Sequence, residues 1–266
     1  MFIDVHSHLF TDNPSTRNFQ YFGEPEGQIS LETFARHALA QPIDLMILSA
    51  DPNWGKTAEG LADGNARIAE LVRRHPRRFA GLCQVSPFFA EESLSDMERH
   101  IARGSLIGIG ELCQYVLGYE SDDPRMFPLI EKAIELDVPI LEHSSVAEQS
   151  DSVARLAECF PKGRFIMAHM GGMFNWPHGI EVARAHENIW LDTSGYVMLC
   201  LGSMKKALAA LGPSKLLFGV DFPLIQAGPL VAALEQLALP QTDFEKIAWR
   251  NACELFGLDA ARFQAR

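Results

Sequence analysis

The sequence is poor in basic residues, which bears first on nucleic-acid binding. It has 23 Lys and Arg against 34 Asp and Glu, a formal net charge of −11 and a pI of about 5.3. The one dense basic cluster, RRHPRR at residues 73–78, falls at the end of a predicted helix. A general nucleic-acid binder needs a basic face for phosphate contacts. We therefore expect a small-molecule substrate and no nucleic-acid partner.

Paired cysteines and long apolar runs are also missing. The five cysteines are scattered, odd in number and without CxxC spacing. This favours free thiols in a reducing compartment over a disulfide framework. No stretch of about eighteen apolar residues occurs, and no basic segment followed by an apolar one opens the chain. We expect a cytoplasmic protein that does not associate with membranes.

The chain does contain short apolar segments that alternate with amphipathic ones. Hydrophobic residues make up 47% of the chain, which is enough for a large core. The apolar segments are rich in Ile, Val, Leu and Phe, and most are apolar on both faces, as buried parallel strands are. The predicted strands are residues 2–9, 43–50, 79–87, 106–113, 138–145, 164–172, 188–195 and 216–223.

The segments between these strands have the spacing of amphipathic helices, for example at 65–76, 125–137 and 152–160. Eight strands alternating with helices predict an α/β fold, a closed (β/α)8 TIM barrel, with a C-terminal extra helix at 242–258. An open doubly wound sheet is the alternative, but no GxGxxG turn follows a strand. Barrels of this length form one domain, so residues 1–266 are predicted to be a single barrel domain.

Histidines and acids fall at the carboxyl ends of the predicted strands. In a parallel barrel the active site lies at these ends. Positions two apart share one face of a strand, so the two histidines of the first strand are expected to point the same way. The strand-end residues are His6, His8, Glu111, His143, His169 and Asp221.

This donor set predicts a metal site. Four imidazoles and two carboxylates suit zinc, manganese, iron or cobalt. A bound metal would lower the pKa of a water ligand toward about 7 and polarise a carbonyl. Asp221 is expected to be either a ligand or the base that takes the proton of that water. Each residue alone has a plain structural interpretation, as a core histidine, a helix cap or an ion-pair partner; their joint placement favours a site.

Several segments resemble the amidohydrolase superfamily, and more narrowly the amidohydrolase-2 group, which includes aminocarboxymuconate-semialdehyde decarboxylase. DVHSH is similar to the first-strand His-x-His of that group. NARIAELVRRHPRRFAGLCQVSP resembles its second helix and third strand, and NACELFGL its closing helix. ELDVPILEHSS, FIMAHMGG and LLFGVDFP resemble strands five, six and eight. The resemblance runs through nearly the whole chain, and the order of the motifs is specific.

The resemblance implies a metal-dependent barrel enzyme with roles assigned by position. His6 and His8 would bind the metal from strand one, and His143 would bind it from strand five. Asp221 would be the strand-eight ligand or proton acceptor. His169 would bind a second metal or, with one metal, act as acid–base and substrate contact. The expected cofactor is one or two divalent ions, zinc first, with manganese, iron or cobalt as alternatives. A homodimer is a further expectation from the family.

Glu111 stands where many superfamily members carry a carboxylated lysine. It resembles the metal-bridging acid of TatD-type hydrolases and leaves one-metal and two-metal arrangements open. The leading hypothesis is therefore metal-dependent hydrolysis of a small amide, lactone or ester by a metal-activated water. The alternatives are a metal-dependent non-oxidative decarboxylase of a small carboxylic acid and a TatD-type phosphoesterase. A scaffold without catalysis would require a metal with no open position.

The substrate itself is not encoded in any recognisable motif. The long segment 10–30 is expected to lie over the active-site face, since loops of this length are usually functional or disordered. The candidates for substrate contacts are Arg17, Trp176 and His178, each with a surface or packing role as the alternative. Two further residues share a predicted strand face with the site: Cys113, two positions from Glu111, and Asp4, two positions before His6.

Overall fold

The structure is a computed structural model that describes residues 1–12, 19–25 and 27–261. Parallel pairing joins β1 to β3 in one sheet and β4 to β8 in another. Bridges from Cys83 to Ile109 and from Ser7 to Phe222 link the two sheets on both sides and close the predicted (β/α)8 barrel. The eight strands of the described residues are β1 Ile3–Leu9, β2 Leu45–Ala50, β3 Phe79–Gly81, β4 Ile109–Leu112, β5 Ile140–Glu142, β6 Phe165–Met167, β7 Ile189–Asp192 and β8 Leu216–Leu217.

Helices follow the strands as the amphipathic segments predict. Thr57 caps the longest of them, because its hydroxyl accepts the backbone N–H of Gly60. The α-helices found in the described residues are α1 Phe19–Phe22, α2 Leu31–Leu39, α3 Ala58–Arg74, α4 Ala90–Met97, α5 Gln114–Leu117, α6 Phe127–Glu135, α7 Ala147–Cys159, α8 Trp176–Ala185, α9 Ser203–Leu211, α10 Ala227–Gln236, α11 Gln241–Glu245 and α12 Asn251–Phe256. Across this described part of the chain, no helix combines the length and the apolar character that a membrane span requires.

The predicted C-terminal helix is present in three consecutive pieces. A π-helical turn at Lys246–Arg250 connects α11 to α12. Gly257, in the left-handed conformation, ends the last piece. Ala252, Leu255 and Phe256 pack with apolar residues of the barrel interior, so this helix covers the amino-terminal end of the barrel.

Two apolar layers hold the barrel. Ile3, Val5, Leu45, Ile47 and Leu141 belong to a cluster that fills the barrel interior. Their strand neighbours pack outward against the helices, among them Phe2, Met46, Leu48 and Ile140. Because side chains alternate along a strand, this division identifies which positions face the interior and therefore which reach the site.

All eight strands are shorter than predicted, and in β6 and β8 the chain bends as it leaves the barrel. The segment predicted at 164–172 ends as a strand at Met167, and His169 then has a φ of 54°. The segment predicted at 216–223 pairs with β7 only at Leu216–Leu217. It still runs beside β1, since the carbonyl oxygens of Phe218 and Phe222 accept backbone hydrogen bonds from Val5 and His8.

Candidate metal centre

A β-bulge in β1 turns His6 and His8 into the barrel. Asp4 is level with Met46 of β2, and Ser7 with Leu48, so three steps of β1 match two steps of β2. The extra residue reverses the alternation after Val5, which still faces the interior. The two histidines therefore share the interior face, as the sequence predicts. Asp4 does not, which corrects the expectation that it lies on their face.

Asp4 supports the backbone instead of an imidazole. Its buried carboxylate accepts the backbone N–H groups of His6, at 3.0 Å, and Val220, at 2.9 Å, and the hydroxyl of Ser7, at 2.5 Å. These bonds tie the bulge of β1 to the segment that follows β8. Asp4 thus fixes the position of the histidines without contacting their rings.

Four side-chain atoms from three strand ends enclose one small space. The Nε2 atoms of His6 and His8 are 3.3 Å apart. Glu111 Oε2 lies 3.5 Å from the first and 3.2 Å from the second, and Asp221 Oδ1 lies 3.7 Å and 3.4 Å from them. An ion about 2.1 Å from each ligand would hold neighbouring ligand atoms roughly 3.0–3.4 Å apart. The donors and their spacing fit a divalent cation.

Without a cation, the imidazoles of His6 and His8 tend to hold protons that point into this space. Burial alone would lower the pKa of His8, but hydrogen bonds to Asp221 and Glu111 outweigh it and raise the pKa to about 9. Burial also opposes the charged form of His6, yet the Glu111 and Asp192 carboxylates raise its pKa well above the usual value. Such a concentration of buried negative charge favours a cation, and a metal must displace these protons to bind.

Glu111 presents its two carboxylate oxygens to different partners. While Oε2 faces the histidines of β1, Oε1 lies 3.0 Å from Nδ1 of His143 and 3.9 Å from Nε2 of His169. Burial would raise the pKa of Glu111, but the neighbouring imidazoles of His6 and His143 keep it well below the usual value. Glu111 is therefore an ionised acid that borders every predicted histidine of the site.

Asp192, at the end of β7, is a site residue that the sequence analysis missed. Its Oδ2 accepts a hydrogen bond from His6 Nδ1 at 2.8 Å. This bond fixes the proton on Nδ1 and leaves the Nε2 lone pair of His6 facing the cation space. The same rule that selected the other strand ends applies to LDTSG, where Asp192 ends the seventh strand.

His169 also presents a free lone pair. The hydroxyl of Ser194 donates to Asp192 Oδ1, so it can only accept from Nδ1 of His169, 2.9 Å away. The proton therefore lies on Nδ1, and Nε2 is unprotonated toward the pocket. Burial lowers the pKa of His169 to about 4, which keeps the ring neutral at pH 7.

The backbone is strained where two of these residues enter the site. His169 has a φ of 54° and Asp221 a φ of 74°, in the left-handed region that non-glycine residues seldom adopt. Strain of this kind persists where the surroundings enforce it and concentrates at functional sites. The N–H of Asp221 donates to the carbonyl of His6 at 2.6 Å. Gly219 leaves room for the side chain of Asp192, because a Cβ at position 219 would lie 3.2 Å from the Asp192 carboxyl carbon.

The site opens into a pocket of about 310 Å³. Its polar lining includes five of the six predicted residues, all but His6, together with Cys113, Ser145 and Gln149. Its other walls are mostly apolar: Phe10, Pro52, Tyr115, Val146, Met173 and Leu224. No Lys or Arg among the described residues lines it.

The large exposed hydrophobic residues of the described chain all lie on this end of the barrel. Each occurs in a segment that follows the carboxyl end of a strand. They are Tyr21, Phe88, Tyr115, Val146, Phe174, Tyr196, Leu199, Leu201 and Leu224. The face that carries the candidate site is thus also the apolar face of the molecule.

The three candidates for substrate contact do not join the site. Trp176 begins α8, where it packs against the core outside the barrel with Lys206 above its ring. His178, on the same helix, pairs with Asp151 at 2.7 Å and does not line the pocket. Both lie in the first turn of α8, which packs on the outside of the barrel. Arg17 lies outside the described residues.

A model of the amidohydrolase family matches residues 3–258. The chain belongs to this family. The resemblance inferred from the motifs is confirmed, and the protein is accordingly a metal-dependent enzyme, a hydrolase or a carboxy-lyase. A curated relative is the 2-amino-3-carboxymuconate-6-semialdehyde decarboxylase of Dictyostelium discoideum, 24% identical over 83% of this chain and 75% of the relative.

Solved structures share the barrel at low identity. The dihydroxybenzoic acid decarboxylase of Polaromonas sp. JS666, with bound manganese and 2-nitroresorcinol, has a TM-score of 0.75 and 18% identity, covering 99% of each chain. The 5-carboxyvanillate decarboxylase of Novosphingobium aromaticivorans, with manganese and 4-hydroxy-3-methoxy-5-nitrobenzoic acid, has a TM-score of 0.75 and 15% identity, covering 97% of this chain and 96% of that one. The (β/α)8 barrel is confirmed by this likeness.

Proposed function

We propose that this amidohydrolase is a metal-dependent decarboxylase of a small, planar, unsaturated carboxylic acid. The observation that carries the proposal is the neutral His169, whose Nε2 lone pair faces the pocket beside the four-atom cation space. That pairing offers a place to anchor an acid and a group that moves a proton to carbon. The curated relative is a decarboxylase. For that reason we place the carboxy-lyase above the hydrolase, which was the leading hypothesis from the sequence.

His6, His8, Asp221 and Glu111 would hold a divalent cation. When bound, the ion would supply positive charge that orients the oxygens of the substrate. Asp192 keeps His6 in the tautomer that can ligate. His143 and Ser145, whose Nε2 and hydroxyl are 2.6 Å apart, form the adjacent wall.

His169 would move the proton. At rest it is neutral, so Nε2 first accepts a proton from a substrate hydroxyl or amino group. It then gives that proton to the carbon that bears the carboxylate. The bond between this carbon and the carboxylate breaks, its electron pair returns to the unsaturated system, and carbon dioxide leaves. The substrate oxygen or nitrogen that gave up its proton then takes one back from the solvent. The sum is R–CO₂⁻ plus H⁺ giving R–H plus CO₂, which balances without an oxidant or reductant.

The pocket walls suit this chemistry. Phe10, Tyr115, Val146, Met173 and Leu224 offer apolar surface to a flat ring or chain. No described Lys or Arg lines the pocket, so the cation itself is the group available to receive the acid. Two structural relatives hold small nitroaromatic ligands, 2-nitroresorcinol and 4-hydroxy-3-methoxy-5-nitrobenzoic acid.

The test is release of carbon dioxide by protein loaded with manganese or zinc. The panel contains ortho-hydroxybenzoic acids, ortho-aminobenzoic acids and amino-substituted dienoic acids. We expect release from at least one class, abolished in His169→Ala and retained in His178→Ala, a histidine of α8 outside the pocket. A metal-loaded protein that releases no carbon dioxide across the panel, or an equally active His169→Ala variant, would contradict the proposal.

Hydrolysis is the second candidate, and Glu111 favours it. A carboxylate whose two oxygens face two sets of ligand atoms suits a pair of ions that activate water. A pocket without described Lys or Arg also accepts a neutral amide or lactone. The same protein preparation is therefore given lactones, N-acyl amides and a phosphodiester. Turnover of these compounds without release of carbon dioxide would replace the decarboxylase by a hydrolase.

A further inference from the structure

Cys113 places a thiol at the edge of the site. Its Sγ lies 3.2 Å from Glu111 Oε2, and the residue lines the pocket. A bulge in β4 produces this position, because the three steps from Ile109 to Leu112 match only two steps of β5. Glu111 and Cys113 therefore both face the interior, with Leu112 packed outward between them.

Cys113 is one of three side chains of metal-ligating type that meet here. Donor atoms of Glu111, Cys113 and His143 all lie within 4.8 Å of one another, and all three residues are buried. His143 Nδ1 is 3.0 Å from Glu111 Oε1. An ion bound at about 2.3 Å to sulfur and about 2.0 Å to nitrogen or oxygen would hold neighbouring ligands roughly 2.9–3.5 Å apart. The 3.0 Å from His143 Nδ1 to Glu111 Oε1 and the 3.2 Å from Cys113 Sγ to Glu111 Oε2 fall in that interval, so the two donors lie beside the two oxygens of one carboxylate.

Another buried cysteine shows what a packing role looks like in this barrel. Cys83 follows β3 and its Sγ faces the backbone carbonyl of Gln84 at 3.7 Å. It does not line the pocket and is surrounded by the apolar core. Cys113 differs in facing a carboxylate and sharing an interior wall with an imidazole. Substitution of Cys83 is therefore a matched control for substitution of Cys113, because both thiols are buried but only Cys113 lies beside other possible metal ligands.

We propose that Glu111, Cys113 and His143 form a second cation site, selective for a thiolate-seeking ion such as zinc or cobalt. Glu111 is shared between the two sites, with Oε2 toward His6, His8 and the thiol of Cys113 and Oε1 toward His143. Thiolate ligands select zinc over manganese and magnesium, which prefer oxygen. The first site, made of imidazole and carboxylate donors, accepts manganese as well as zinc. The second site rests on the proposed metal-dependent function but not on which reaction occurs.

Cobalt spectroscopy tests the sulfur ligand directly. Metal-free protein is titrated with Co²⁺ while the near-ultraviolet absorption is recorded. We expect two equivalents to bind, with a thiolate-to-cobalt charge-transfer band that is absent in Cys113→Ser and intact in Cys83→Ser. Cys113→Ser is expected to bind one equivalent of zinc where the wild type binds two, and Mn²⁺ binding is expected to be the same in both.

The wild-type spectrum alone can overturn the proposal, even if Cys113→Ser fails to fold. A wild-type protein that binds cobalt without a charge-transfer band has no thiolate ligand. If Cys113→Ser still binds two equivalents of zinc, the proposed second site is also contradicted. If one ion binds without the band and carbon dioxide is still released, the second site fails and the decarboxylase stands. If the band forms and no substrate releases carbon dioxide, the second site stands and the decarboxylase fails.

Discussion

Replacing Asp192 by asparagine should reverse the tautomer of His6. The Oδ1 atom of Asp192 accepts from the backbone N–H groups of His169, at 3.0 Å, and Ser194, at 2.9 Å, and from the Ser194 hydroxyl. The amide oxygen of the introduced asparagine must take this position, since an NH₂ group cannot face three donors. The NH₂ group then faces His6 Nδ1, so Nδ1 must accept and the ring proton moves to Nε2.

That proton would occupy the lone pair that points at the cation space. Loss of a carboxylate behind a ligating histidine costs about 10–100-fold in metal affinity. We therefore expect the affinity of Asp192→Asn for Mn²⁺ or Zn²⁺ to fall by about 10–100-fold, which corresponds to about 1.4–2.8 kcal/mol. Competition with a chromophoric chelator measures the affinity.

Asp151→Asn is the matched control. Asp151 pairs with His178 at 2.7 Å, the same kind of contact, but on the outer surface of the barrel. It should leave metal affinity unchanged, while thermal unfolding of both metal-free variants checks that the fold is intact. If Asp192→Asn binds the cation as tightly as the wild type does, Asp192 does not set the tautomer of a ligand and the reasoning fails.

Three further outcomes follow from the same contacts. His169→Asn should lower kcat by roughly 10²–10⁴-fold with the metal content unchanged. An unchanged kcat would show that His169 is not the general base. Burial raises the pKa of Glu142 to about 8 from 4.5, so the folded chain keeps a proton that the unfolded chain loses. Between about pH 5 and 8, the unfolding free energy of the metal-free wild type should fall by roughly 1.4 kcal/mol per pH unit more steeply than that of Glu142→Gln. Urea unfolding measures both profiles, and parallel profiles would refute this role of Glu142. Chelation should lower Tm in the wild type and lower it less in His8→Ala, since an ion that binds only the folded chain stabilises it more when it binds more tightly.

The architecture was predictable because its signals are local. Apolar segments such as 43–50 and 138–145 are buried on both faces, and the helices between them have clear amphipathic spacing. The rule that parallel strands gather their carboxyl ends then brought together six residues far apart in sequence. His6 and Asp221 are 215 positions apart, and their side chains are 3.7 Å apart in the barrel.

The bulges in β1 and β4 could not be predicted, because each depends on pairing with a neighbouring strand. A strict alternation from Ile3 would have sent His6 to the outer face, and only the extra residue brings it inside. The same limit explains Asp4, whose period-two position suggested the wrong face. The outward placement of Trp176 and His178 depends on where α8 docks, which their local sequence does not specify. Asp192 differs, since its strand-end signal was present in the sequence.

The most direct test of the cation site is an anomalous difference map from crystals grown with Mn²⁺. We expect a peak within ligand distance of His6 Nε2, His8 Nε2 and Asp221 Oδ1, and a weaker peak in crystals of His8→Ala. A manganese peak elsewhere on the chain, or none at these three atoms in crystals that hold the ion, would contradict the assignment of the site.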